Sequence, residues 1–151
     1  LLTETVILAL NLWRYKRWVL HDLDEEEQLV GVVSLSVSPS SAVEASREIR
    51  RFADERNVSQ RVSYRVALCM EEMVAYAAAS QKRDDVSMQA VARFKHESAT
   101  LSILDDGKCI ALDEDREYQT LVTNNYDLVK CMAKEVDYQY ILDLNYTVMR
   151  F

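Results

Sequence analysis

The stretch Ala67-Leu-Cys-Met-Glu-Glu-Met-Val-Ala-Tyr-Ala77 lies inside a longer run, Val58 to Ala79, that reads as a helix. Val62, Val66, Cys69, Met70, Met73 and Ala77 recur at steps of three and four, which sets them on one face of a 3.6-residue helix. Glu72 and Tyr76 are four residues apart, so their side chains are neighbours on that helix. The plainer alternative is an amphipathic core helix whose glutamates face water. A functional reading depends on a second stretch, Leu101-Ser-Ile-Leu-Asp-Asp-Gly107.

Working outward, Val32 to Val37 alternates, with Val33, Leu35 and Val37 on one side, and predicts a strand. Pro39 is expected to stop it. Ser41 and Glu44 have capping-box spacing and open a helix to about Arg56, with Val43, Ala45, Ile49, Phe52 and Ala53 as its apolar stripe. Asn57 lies near its end. Beyond the central helix, Val86, Met88, Ala90, Ala92 and Phe94 alternate, Lys95 to Ser98 turns, and Leu101 and Ile103 continue on a second strand, giving a hairpin. A loop from Lys108 to about Glu117 leads to a helix near Tyr118–Val136, irregular around Asn124-Asn125, with Leu121, Val129, Met132, Ala133 and Val136 as its stripe. Strands Tyr138–Asp143 and Tyr146–Phe151 follow, joined at Leu144-Asn145. The order predicts an α+β two-layer sandwich, with a mostly antiparallel sheet of about five strands and helices on one face.

The 151 residues suit one domain, at 49% hydrophobic and 28% charged. The net charge of −7, without a basic cluster, argues against nucleic acid as a partner. Cys69, Cys109 and Cys131 lack CxxC spacing, and the only histidines are His21 and His96, so no Cys/His metal site is expected. Thiols in apolar stretches fit a reducing, cytoplasmic setting. The glycines are Gly31 and Gly107, too few for a Walker loop or a Rossmann fingerprint. Residues 1–31 form an apolar segment, a stretch mixing Trp13, Tyr15 and Trp18 with Arg14, Lys16 and Arg17, and an acidic connector. Apolar, then aromatic, then basic is the pattern of the cytoplasmic end of a membrane span, although the apolar run alone is shorter than the ~20 residues a span needs. An amphipathic helix packed on this domain or on a twin is the alternative.

The element order over roughly Val32 to Phe151, with these two stretches, resembles the GHKL (histidine-kinase-like) ATPase superfamily with its Bergerat-type ATP-binding fold. Within it the chain looks most like the anti-sigma-factor serine kinases. The resemblance implies that Glu72 is the catalytic base of the central helix. The magnesium-binding asparagine expected four residues later is Tyr76, and a phenol is a poor magnesium ligand. Asp105-Asp-Gly-Lys-Cys109 is similar to the family's Asp-x-Gly-x-Gly, with Asp105 as adenine reader, Gly107 as the first glycine and Cys109 in place of the second. Thr147 matches the threonine that supports the aspartate. The glycine-rich lid falls on Thr123 and Asn125, where asparagine is a partial substitute because it tolerates left-handed backbone.

By this resemblance the cofactors would be ATP and magnesium, with Tyr76 arguing against the metal. Two functions follow from it. One is a degenerate ATP-binding domain that acts as a regulatory protein-binding module, with nucleotide weakly held or lost. The other is an active ATP- and magnesium-dependent serine kinase. The partner implied is a sigma factor or an anti-sigma antagonist, with homodimerisation and a membrane tether through the N-terminal segment as further expectations.

Overall fold

Strand alternation sets which side of the sheet is covered. A computed structural model describes residues 29–80, 85–109 and 119–151, with the backbone alone for 119–124. Its strands are β1 (Leu29–Ser36), β2 (Ser87–Lys95), β3 (Ser98–Asp105), β4 (Glu135–Ile141) and β5 (Leu144–Arg150). Its helices are α1 (Pro39–Asp54), α2 (Gln60–Ser80) and α3 (Gln119–Met132). The strands form one antiparallel sheet in the order β1-β2-β3-β5-β4. Paired residues point to the same face. Ala92 pairs with Gly31 and Leu101, and Leu101 pairs with Met149. Ala90 pairs with Val33 and Ile103, and Ile103 with Thr147. These rows are buried beneath Ala45, Ile49 and Ala53 of α1, Val66, Met70, Met73 and Ala77 of α2, and Val129 of α3. The protein is an α+β two-layer sandwich, as the sequence predicts.

Local chemistry shifts several boundaries. β1 starts at Leu29, three residues before the expected strand. β1 ends at Ser36, before Pro39, as expected, and Pro39 then opens the helix. It occupies the first turn of α1, where a missing N–H costs nothing. The cap is therefore Ser38, not Ser41: the Ser41 N–H donates to Ser38 Oγ at 3.2 Å and the Ser38 N–H to Ser41 Oγ at 2.9 Å. The apolar stripe rotates with this start, so Ala42 is buried and Val43 is exposed. At the far end of α1, the Val58 N–H donates to Ala53 C=O and the Asn57 N–H to Asp54 C=O, with Asn57 at φ 55°. This is a Schellman closure with asparagine where glycine is commoner.

The C-terminal hairpin also differs from expectation. Val136 belongs to β4, not to the preceding helix. The turn is Leu142-Asp143, both at positive φ (53° and 60°), as a type I′ hairpin requires. Leu144 and Asn145 lie in β5. Register is the reason: Val136, Tyr138 and Tyr140 must face the same side as Met149, Thr147 and Asn145, and a shift of one would turn them all outward. Leu142 is left 82% exposed at the tip. α3 is continuous through Asn124 and Asn125, without the expected irregularity.

The apolar and basic segment before residue 29, proposed as a membrane stub, lies outside the described residues. So do the loop 110–118 and the side chains of Leu121 and Thr123. No helix among the described residues is long and apolar enough to cross a membrane.

Gly31 of β1 lies against the Phe52 side chain of α1. A Cβ there would lie 3.0 Å from the Phe52 ring, which stacks on Phe94 with centroids 6.2 Å apart. Gly31→Val is expected to destabilise the fold by about 1–3 kcal/mol through overpacking. A lower urea midpoint at unchanged slope would show it; an unchanged midpoint would mean that the Phe52 ring moves aside at no cost.

Candidate functional site

At the C-terminal end of β3 the buried rows of the sheet turn from apolar to polar. Asp105 is 3% exposed and Asn145, directly opposite it on β5, is fully buried. Asp105 Oδ1 accepts from the Gly107 N–H at 2.9 Å and from Asn145 Nδ2 at 2.8 Å. Asn145 Nδ2 also donates to the Lys108 carbonyl at 2.8 Å and to the Gly107 carbonyl at 3.3 Å. The Tyr138 hydroxyl on β4 donates to Asn145 Oδ1 at 2.6 Å, and Cys109 Sγ lies 3.6 Å from that hydroxyl. Asp105 Oδ2 takes no hydrogen bond from a described residue and stays available as an acceptor. Burial pushes the Asp105 carboxyl above the ordinary range, while Asn145 and the Gly107 N–H pull it back and Asp106 raises it further.

A second group lies between α2 and α3. The Tyr76 ring packs against Tyr126 of α3, centroids 5.8 Å apart at 38°, and Lys130 Nζ stands 4.7 Å from the Tyr126 ring centre. Burial, then the Tyr126 phenol, raises the Tyr76 hydroxyl. Glu72 precedes Tyr76 by one turn and is half-buried. Burial, then Glu71, raises its carboxyl. It has no hydrogen-bond or ion-pair partner among the described residues. Cys69, beneath it, is buried, and its thiol is pushed up to about 12, so it is inert as a nucleophile.

The expected site residues thus fall into two sets. Asp105 and Gly107 are joined directly. Thr147 is buried on the same face but pairs with Ile103, one step inward, and the residue that supports Asp105 is Asn145. Tyr76 meets the helix that carries Asn125, and Glu72 lies on the same stripe. No hydrogen bond, ion pair or ring contact links Glu72 or Tyr76 to the Asp105 cluster. Asn125 is half-buried in the helix interior and does not adopt positive φ, because the helix continues through it to the buried Val129. Among the described residues no group of three or more His, Cys, Asp or Glu could hold a metal ion.

Asn145 and Tyr138 are the residues that sequence reasoning missed. The signal was present: counting back two from Thr147 along an alternating strand puts Asn145 on the same face. Compared with known proteins, the chain matches no family model and no curated sequence.

Asn145→Ala leaves Asp105, the Lys108 carbonyl and Tyr138 short of a partner, and is expected to cost about 2–3 kcal/mol. Asp105→Asn keeps an acceptor for both donors and removes a buried charge, so it should cost under about 1 kcal/mol. A raised folded-state carboxyl holds more protons than the unfolded chain, so its contribution to stability falls as pH rises from the ordinary carboxylate range through the folded value. Urea midpoints across pH should therefore fall less steeply over this window in Asp105→Asn than in the wild type. Identical slopes would mean that Asp105 is not protonated more readily in the fold.

Proposed function

We propose that this chain is a degenerate histidine-kinase-like ATP-binding domain acting as a regulatory module that binds a protein partner, with nucleotide binding weak or lost. The observation that carries the reading is the Tyr76–Tyr126 contact. At the position where the resembled family needs an amide oxygen for magnesium, this chain has an aromatic ring that ties α2 to α3. Without a metal ligand the charge of a triphosphate has no counter-ion there. A loss of even ~2–3 kcal/mol of transition-state stabilisation at each altered element would compound to several powers of ten in rate.

A second reading, an active serine kinase, is favoured by two features. Asp105 Oδ2 is an acceptor without a partner among the described residues, suited to an exocyclic amino donor. Glu72 has no partner among the described residues and is raised in pKa, as a general base for a hydroxyl would be. In either reading the partner is a protein of the sigma-factor or anti-sigma-antagonist type, met in a reducing cytoplasm, and the segment before residue 29 is a candidate tether.

Thermal unfolding with ATP and magnesium separates the readings. A ligand at 100 times its Kd adds about 2.7 kcal/mol, a shift of several degrees for a domain of this size. Wild type is expected to show no shift at millimolar ATP, and a several-degree rise would favour the kinase. Tyr76→Asn combined with Cys109→Gly is expected to gain a measurable shift. No gain in that variant would argue against any remnant of a nucleotide pocket.

A further inference from the structure

The hairpin that joins β4 to β5 breaks two rules at one residue. Leu142 is 82% exposed, more than any other large apolar side chain among the described residues. It also holds φ 53°, in the left-handed region, where a bulky side chain is crowded against its own backbone. A type I′ turn normally takes asparagine, aspartate or glycine at this place. Leucine therefore gains nothing from burial here and costs the turn stability. A costly conformation that the fold does not use points to a use outside it.

The tip is rigid. β4 and β5 pair residue by residue up to Ile141 and Leu144, on either side of the turn. The Tyr140 hydroxyl donates to Asp143 Oδ1 at 3.3 Å, which ties the strand to the turn. Below it, the Tyr138 hydroxyl donates to the buried Asn145. Tyr140 is itself 41% exposed, so the ring and the leucine share one projecting tip. The hairpin carries charge of one sign. From Glu135 to Leu144 it holds Glu135, Asp137 and Asp143 and no Lys or Arg. Arg150 answers the first two, at 2.7 and 3.5 Å. Exposed Asp143 has no ion-pair partner among the described residues.

We infer that this tip is the anchor by which a second, different protein is held. Leu142 and Tyr140 fill an apolar socket on that protein, and a Lys or Arg at the socket's rim meets the Asp143 carboxylate. A preformed anchor loses little freedom when it is buried, so one leucine and one tyrosine can hold a partner well. The same carboxylate, on a chain of net charge −7, disfavours an anionic membrane surface as the occupant. Beside the tip, Leu144 and Leu104 border a shallow hollow of about 580 Å³ with Ser36, Ser87 and Asp106, where the partner gains further contact. The inference rests on the protein-binding part of the proposed function, not on whether nucleotide is held.

Photo-crosslinking in the native cells, with p-benzoylphenylalanine in place of Leu142 or, as a control, of the exposed Tyr64, tests it. The protein joined at position 142 is then purified and titrated against the full 151-residue chain. Leu142→Asn is expected to raise the urea midpoint, because asparagine suits the turn, and yet to weaken binding of that protein roughly tenfold or more. The crosslink should fall among apolar residues next to a Lys or Arg of the partner. No product at 142 beyond the Tyr64 control, or only a second copy of this chain or lipid, would overturn the inference. So would a crosslink on a surface of other chemistry, a lowered midpoint in Leu142→Asn, or a purified partner that binds Leu142→Asn as tightly as wild type. A partner joined at position 64 alone would leave the protein-binding reading standing and remove this anchor.

Discussion

One buried carboxamide holds the polar end of the sheet together. Asn145 is fully excluded from water, and an unsatisfied amide there would be costly. Its nitrogen serves Asp105 Oδ1 and the carbonyls of Gly107 and Lys108, and its oxygen receives the Tyr138 hydroxyl. β3, the turn that leaves it, β5 and β4 thus meet at one side chain. The turn after Asp105 is shaped by that amide and by the Gly107 N–H, and not by left-handed backbone at Gly107, since no glycine has positive φ among the described residues. Cys109, at the second-glycine position of the resembled motif, lies beside the Tyr138 hydroxyl at the exposed margin of this cluster.

The helix layer shows a different economy. Tyr76 of α2 sets its ring against Tyr126 of α3. An aromatic pair of this kind adds about 0.5–1.5 kcal/mol beyond the area it buries. That gain favours keeping α3 against α2 over leaving a polar gap between them. On the proposed reading, an acceptor at Asp105 together with a packing contact at Tyr76 fits recognition better than phosphoryl transfer.

The sequence and the structure agree wherever a single periodicity governs. The alternation of Met88, Ala90, Ala92 and Phe94 and the three-and-four spacing from Val62 to Ala77 can be read from the chain because each segment buries one face. Disagreement comes where two local signals compete. A serine at either Ser38 or Ser41 can open the helix, and the reciprocal Ser38–Ser41 bonds make Ser38 the cap. Leu144-Asn145 carries a turn residue, yet the turn falls on Leu142-Asp143, because only that register keeps Thr147 and Met149 inward.

By itself the sequence determined the class of fold, the two-sided character of the strands and the face of α2 that enters the core, since hydrophobic burial acts on near neighbours at a fixed period. It also determined that Asp105 ends a strand beside a glycine. Tertiary structure alone decided that Asn145 would hold Asp105, forty positions away in the chain, and that Tyr76 would meet Tyr126. Hydrogen bonds and ring contacts between distant residues leave no period in the sequence. They exist only once the sheet order has brought β5 beside β3 and the packing of the helices has brought α3 onto α2.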